Sequence, residues 1–494
     1  MHLKRTTLST AILLSLATIS LPSQAQSAKD FKEMRTEMQR MRAELDALKA
    51  EKRAPAPMAA AVAAPVSAPV SAPAPAQAAL NTELADRIEQ VELRSKDAVV
   101  VGDIPNSFRL PNSETSLRIY GFAELNMVHE FRADNADTDY ASFVPYAPLN
   151  GSAGANRSGR TYLHARTSRL GIEASTPTQY GPMGIKLEGD FNNDPRTGNA
   201  AVTGTIGNIY TQQATNSYDF RLRQAYGTFG GLLIGQTWST FMDVDNAPET
   251  VDFNGPIGST FIRQPMIRYA YPTKDYGTFT VAAENSVSYV LDKTGSVTTA
   301  GFSRVPDLVG RWDKPFDFGA VSFRVVSHEH RVNDGAGINA SRRGFGVAAS
   351  GMYKTVGEDF LTWNLTGGTG IGRYFNYIEG AFYDPAANRI LMEKAVGVVV
   401  GYQIKSSPSL RYNMSVGAQK NFNNEYTEFA RANALDSGRY GVNESVWQTH
   451  LGFIWNPVKN VDIGTELVYG KRKTLAGETG DMSRLDFSAK YNFN

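Results

Sequence analysis

Arg118, Arg169, Arg221, Arg223, Arg268, Arg311 and Arg324 each stand on the polar parity of a short alternating segment. A guanidinium presents a fixed fork of N–H donors that fits a carboxylate bidentately. Gathered on one wall, such groups would attract small organic anions and orient them. A second feature has the opposite sign. Between Gln236 and Arg263 there is no Lys or Arg, whereas Asp243, Asp245, Glu249 and Asp252 occur, together with Gly255-Pro256 and Gly258. An acidic loop opposite a basic wall would set up a transverse field. Each arginine taken singly reads equally well as a solvated charge. Glu124, Glu188, Asp190, Glu284 and Glu466 fall on the same polar parity and oppose a simple anion preference.

Covalent and metal chemistry find little support. The chain has no cysteine, which removes disulfides, cysteine–zinc sites and thiol nucleophiles. His328 and His330 share one strand face and could in principle hold a metal, but beside Arg331 at a loop edge they read as a solvated pair. Gly367-Gly368 lacks the lysine and the strand–loop–helix setting of a phosphate loop. No catalytic residue, metal ligand or cofactor is expected, and the chain does not read as an enzyme. Lys+Arg number 50 against 49 Asp+Glu, a net charge of +1, so a nucleic-acid partner is not expected.

The elements that must position the arginines alternate with period two. Leu485, Phe487, Ala489, Tyr491 and Phe493 oppose Asp486, Ser488, Lys490 and Asn492. Val321, Phe323 and Val325 oppose Ser322 and Arg324, and Leu410, Tyr412, Met414 and Val416 oppose Arg411, Asn413 and Ser415. Strand starts are expected near Ser116, Thr161, Gly184, Phe220, Leu232, Ile262, Thr278, Val305, Ala320, Arg343, Phe360, Ile390, Leu410, Ser445, Val461 and Met482. Alternation alone also suits a soluble sandwich. Aromatics at strand ends (Tyr120, Tyr269, Trp312, Trp455 and Tyr469 among them) and the alternation of short turns with long polar loops favour a transmembrane antiparallel β-barrel of about 16 strands over 108–494. Loops are expected over 132–159, 192–218, 292–304, 332–341, 370–389, 421–443 and 474–481.

The N-terminal part is of another kind. Lys4 and Arg5, an apolar run from Leu8 to Leu21 and Ser23-Gln24-Ala25 read as a signal peptide over 1–25. Phe31, Met34, Met38, Met41, Leu45 and Leu48 form an a/d seam, a coiled coil over 26–53. An Ala/Pro-rich linker over 54–79, with Pro55, Pro57, Pro65, Pro69, Pro73 and Pro75, is a stiff spacer. A short helix and connector follow over 80–107.

The stretch FRLRQAYGTFGGLLIGQTWSTFMD over 220–243, with SRLGIEAS over 168–175, KLEGDF over 186–191, IRYAYP over 267–272 and VDIGTELVYGKR over 461–472, resembles a Gram-negative porin. With the coiled coil and linker in front, the chain resembles the DcaP-like family of trimeric outer-membrane porins. The resemblance implies a homotrimer among outer-membrane lipid, a coiled coil in the periplasm, a third loop folded into the pore, and uptake of small anionic solutes, notably carboxylates. A general diffusion porin without substrate preference and a structural outer-membrane tether stay open as alternatives.

Overall fold

Alternation along the strands runs apolar side out. Phe323 and Val325 are 52% and 55% exposed, while Ser322 and Arg324 beside them are 0% and 1% exposed. A water-soluble sheet would reverse this order. In lipid it is the required one: outward side chains meet hydrocarbon, and every backbone polar group must pair within the sheet. Ile267, Tyr269 and Tyr271, and Tyr412, Met414 and Val416, repeat the pattern on other strands.

The computed structural model describes residue 87 and residues 100–133, 142–193, 218–375 and 380–493. The expected signal peptide, coiled coil and linker lie outside the described residues, as does most of the connector over 80–107. The unit Val100–Asn494 is built on β1 (Ser116–Arg132), β2 in two pieces (Arg160–His164 and Arg169–Thr176), β3 (Met183–Asn193), β4 (Asp219–Phe229), β5 (Leu232–Trp238), β6 (Arg263–Thr273), β7 (Gly277–Glu284) and β8 (Asp307–Phe316). It continues through β9 (Gly319–Asn333), β10 (Asn339–Lys354), β11 (Phe360–Thr369), β12 (Lys394–Ser407), β13 (Leu410–Asn421), β14 (Asn443–Trp455), β15 (Val461–Thr474) and β16 (Thr479–Phe493). Each pairs antiparallel with its sequence neighbour, and β16 returns to β1 with Phe487 opposite Met127. The result is a closed barrel of 16 strands with no free edge. Val100–Val101 and Phe108–Arg109 lead into β1 as a short ladder, so the sheet begins ahead of residue 108.

Two-residue turns such as 230–231 and 408–409 lie at the end that also holds both ends of the barrel sheet, and long connections lie at the other. By the rule for exported barrels the short-turn end is periplasmic. Three local expectations are corrected. The strand expected near Ile390 begins at Lys394, because Arg389–Leu391 instead joins Ala381–Asp384 and Val290–Leu291 in a small separate sheet. The loops expected over 332–341 and 474–481 shrink to 334–338 and 475–478, since the strands run on beyond the lipid zone. Tyr120 does not join an outer girdle: its hydroxyl donates to Glu188 at 3.0 Å inside the barrel.

Three described connections turn inward, one of them the segment from Ser142, whose Val144 packs on inward-facing Val446 and Met482. Residues 239–262 cross the lumen, and the short turn Gly372–Tyr374 descends beside them. Phe241, Ile371, Tyr374 and Phe375 pack on inward-facing Ala282, Val326, Ala348 and Ala395. These small wall residues leave room for a second layer. The turn also covers His328 and His330, both fully buried. His328 Nδ1 meets Asp307 at 2.8 Å, and His330 Nε2 lies 3.1 Å from the Gly370 carbonyl. The expected solvated pair is thus a sealed one, covered by a segment distant in sequence.

Candidate functional site

Cross-strand register builds the basic wall. Arg169 on β2 stands opposite Asp190 on β3, and Asp190 stands opposite Arg221 on β4. Arg221 donates Nε and Nη2 to the two Asp190 oxygens at 3.0 and 2.9 Å, a bidentate pair. Arg223 bridges the acids, with Nε to Glu188 at 2.8 Å and Nη1 to Asp190 at 2.9 Å. Arg169 Nη1 lies 3.8 Å from Glu188. A register shift at Glu188/Gly189 turns Gln224 inward as well, onto Glu188 at 3.3 Å. Arg263, at the head of β6, lies 4.6 Å from the Trp238 ring, and Arg223 lies 5.7 Å from the same ring. Among the described residues the Arg263 guanidinium has no hydrogen bond or ion pair. Three guanidiniums thus share two carboxylates with a fourth, Arg263, standing near them unpaired among the described residues, a formal excess of two positive charges. Arg118 is bonded to Glu173, and Lys186 stands 5.1 Å from the Tyr120 ring.

The acids of the crossing loop do not face this wall. Glu249 takes Nε and Nη2 of Arg411 at 2.6 and 2.8 Å, on the strand β13 side. Asp252 takes Arg484 Nη2 at 2.9 Å and the Ser142 N–H at 2.7 Å, while Glu466 accepts the Val251 and Asp252 N–H groups at 3.1 Å each. Asp243 lies 3.4 Å from Arg311 Nη2 and accepts from Asn246 at 2.7 Å and from Ser350. Burial pushes the Asp243 carboxyl up, but Arg311, Asn246, Ser350 and Arg324 more than offset it and hold it below the ordinary carboxylate range. Asp245 is exposed, and its carboxylate has no hydrogen bond or ion pair among the described residues. What the loop turns toward the wall is Phe253, 5.6 Å from both Arg221 and Arg223.

Local chemistry explains why the loop lies across the lumen. Ser239 Oγ donates to Glu284 at 2.6 Å and the Thr240 N–H donates to the same carboxylate at 2.7 Å, ending β5 with an inward bend. Arg311 donates to the Met242 carbonyl at 2.7 Å, and Arg324 to the Phe241 carbonyl at 3.1 Å. Further along, Gly258 has φ +110° and rests on the backbone of Val398 and Ala418, a conformation and an approach that suit only glycine. The wall answers with Gly397 and Gly417, where a Cβ would meet Gly258 O at 2.3 Å and Ile257 O at 1.9 Å.

The model of the DcaP outer membrane protein family matches residues 103–493. The chain belongs to that family. Among solved structures, this DcaP-family chain is similar to the outer membrane channel DcaP of Acinetobacter baumannii, at 27% identity and a TM-score of 0.64, over 80% of this chain and 100% of that one. OmpT of Vibrio cholerae matches at 12% identity and a TM-score of 0.45, over 78% and 99%. The anion-selective porin from Comamonas acidovorans matches at 16% identity and a TM-score of 0.45, over 77% and 100%. Comparison with curated proteins gives no match. The protein is an outer-membrane channel of porin type.

Within this DcaP-family barrel the seven arginines do not form one set. Arg169, Arg221 and Arg223 come together, and Arg118 lies beside Glu173. Arg311 and Arg324 serve the loop instead. Arg324 is buried beneath it and does not line open lumen, because its fork is used on Phe241 and Ser350. Arg268 faces inward between Leu233 and Ala282, with Arg311 and Glu284 as electrostatic neighbours and no hydrogen bond or ion pair among the described residues. The expectation of loop acids facing the seven arginines holds for Asp243, which meets Arg311, and is corrected for Glu249 and Asp252, which meet Arg411 and Arg484. The wall's own β3 acids already neutralise it in part, and the loop acids seek Arg311, Arg411 and Arg484. Arg411 and Arg484 were missed as loop anchors although both carry the inward parity. Arg263, Lys186 and Phe253 were missed as well, and only their nearness to strand starts or to an acidic run marked them.

Proposed function

We propose that the barrel passes small organic anions, mono- and dicarboxylates, passively and without chemical conversion. The observation that carries this reading is the wall where Arg169, Arg221 and Arg223 share Glu188 and Asp190 beside Arg263, narrowed by Phe253 from the crossing loop. A local excess of cations at a narrowed passage raises the concentration of anions there, and a guanidinium fork orients a carboxylate. Pairing with the β3 acids keeps the attraction modest, so a solute is admitted without being trapped. The test is the reversal potential of the purified channel in a salt gradient. An anion-preferring potential is expected, with brief current blocks when a dicarboxylate is added. A potential at zero or on the cation side, without blocks, leaves a general diffusion pore.

The working unit is a homotrimer. The a/d seam read in the sequence from Phe31 to Leu48 supports this. In mild detergent the mature protein is expected at the native mass of three chains, and removal of residues 26–52 weakens that association. A native mass of one chain sinks the trimer.

A further inference from the structure

Charged side chains on the lipid face of a barrel are costly at mid-membrane and tolerated only near its rims. One sector of this barrel collects them at one rim. Lys394 opens β12, Lys420 lies near the end of β13, and Lys471 and Lys473 lie near the end of β15, all exposed. All four share the parity of the lipid-facing residues below them: Val398 and Val400 on β12, Met414 and Val416 on β13, Leu467 and Tyr469 on β15. Register joins them into one patch. Lys420 stands opposite Val396 and Ser445, and Ser445 opposite Lys473. Lys471 stands opposite Trp447, one outward step above Tyr469. Trp447 and Tyr469 lie with ring centroids 5.5 Å apart, the kind of aromatic pair that marks the boundary between hydrocarbon and headgroups. The lysines are therefore at headgroup height on the long-loop, outward-facing side.

The patch is not balanced from within. Lys473 pairs with Glu444 at 2.7 Å, and Asp481, opposite Lys471, is taken by Arg132 at 2.9 Å. Lys394, Lys420 and Lys471 have no hydrogen bond or ion pair among the described residues; the Lys394 ammonium lies 6.0 Å from the Phe422 ring. Among the described residues five cations, Arg132 included, thus stand over two acids, with Glu444 an electrostatic neighbour of Lys420 as well as of Lys473. On β9 and β10, by contrast, outward Arg343 stands opposite Glu329. From β12 to β15 is three strand spacings, roughly 14 Å, room for more than one anionic group at once.

We propose that the outward lysine patch of β12–β15 holds the phosphates of a bis-phosphorylated outer-leaflet glycolipid. Three properties select that partner. The patch faces lipid and not the lumen, it lies at headgroup height, and its uncompensated charge is spread across several strands. Flexible lysine stems lie along the apolar wall and lift their ammonium groups to the phosphates, while the acyl chains cover Val398, Val400, Met414 and Val416.

The test uses the full mature protein in mild detergent, with lipid retention read by native mass spectrometry. The probes are diphosphoryl lipid A and the same lipid with both phosphates removed. Wild-type protein is expected to retain the diphosphoryl form at least tenfold better. Joint replacement of Lys394→Gln, Lys420→Gln and Lys471→Gln is expected to abolish that preference with single-channel conductance unchanged. Arginine at the same three positions keeps it, which separates loss of charge from a folding defect. Lys314→Gln with Lys354→Gln, toward the short-turn end, also keeps it. Equal retention of the two lipids by wild type, or full retention by the glutamine variant, overturns the proposal. So does a glutamine variant that separates into single chains while lipid retention is unchanged, since the patch is then a contact between subunits.

Discussion

Gly417→Val raises single-channel conductance and makes the current noisier, and it lowers any preference between ions. The reason is a backbone collision. A Cβ at residue 417 would sit 1.9 Å from the carbonyl oxygen of Ile257, and neither atom belongs to a flexible side chain. The loop tip has to lift. Lifting draws Ile257 out of its cluster with Val144, Val446 and Met482 and moves Gly258 off Val398 and Ala418. Crowding of this kind costs about 1–3 kcal/mol. The barrel survives it, because its strand ladders are untouched and the loop is still tied at Arg324, Arg411 and Arg484. The crossing segment therefore loosens without leaving. Ala418→Val is the control: that side chain points outward on the next residue of the same strand and should leave conductance as it was. Wild-type conductance in a correctly folded Gly417→Val barrel would show that the tip does not limit the passage.

The barrel was legible because lipid enforces a rule on every strand. Phe323 and Val325 must meet hydrocarbon, so Ser322 and Arg324 must turn in, and parity places arginines on the inner face before any contact is known. The rule fails where lipid ends. Above the membrane both faces of a strand meet water, so β10 begins at Asn339 and not near Arg343, and β16 at Thr479 and not near Met482. Which acid meets which arginine was not legible. Asp252 and Arg484 are 232 residues apart, and Glu249 and Arg411 are 162 apart. These pairings depend on the path of a loop across the lumen, which no short-range periodicity encodes. The turn Gly372–Tyr374 escaped for the same reason. Its descent depends on alanines scattered over β7, β10 and β12, each unremarkable in its own strand.

Unequal partnering predicts unequal consequences for two substitutions of identical formal charge. Arg268→Gln removes a guanidinium that holds no acid, so nothing is orphaned. The expected result is a fall in anion preference with an unchanged unfolding midpoint. At about 4 Å in water-like surroundings one charge is worth about 1 kcal/mol, roughly a fivefold change in local anion concentration, and less once salt screens it. Arg223→Gln removes the same single charge from between Glu188 and Asp190, and Arg223 is itself almost wholly buried. Asp190 keeps Arg221 at 2.9 Å, but Glu188 is left with Arg169 at 3.8 Å as its nearest cation. Breaking a buried pair from one side costs about 3–5 kcal/mol, so this variant should unfold earlier in urea as well as lose selectivity. Adding Glu188→Gln to Arg223→Gln removes the orphaned acid. It should recover much of the lost stability and return the wall to its original net charge, so anion preference should recover with it. Reversal potentials and urea midpoints of the four proteins decide the matter. If Arg268→Gln and Arg223→Gln both leave the reversal potential at the wild-type value, the wall is structural and the passage is selected elsewhere.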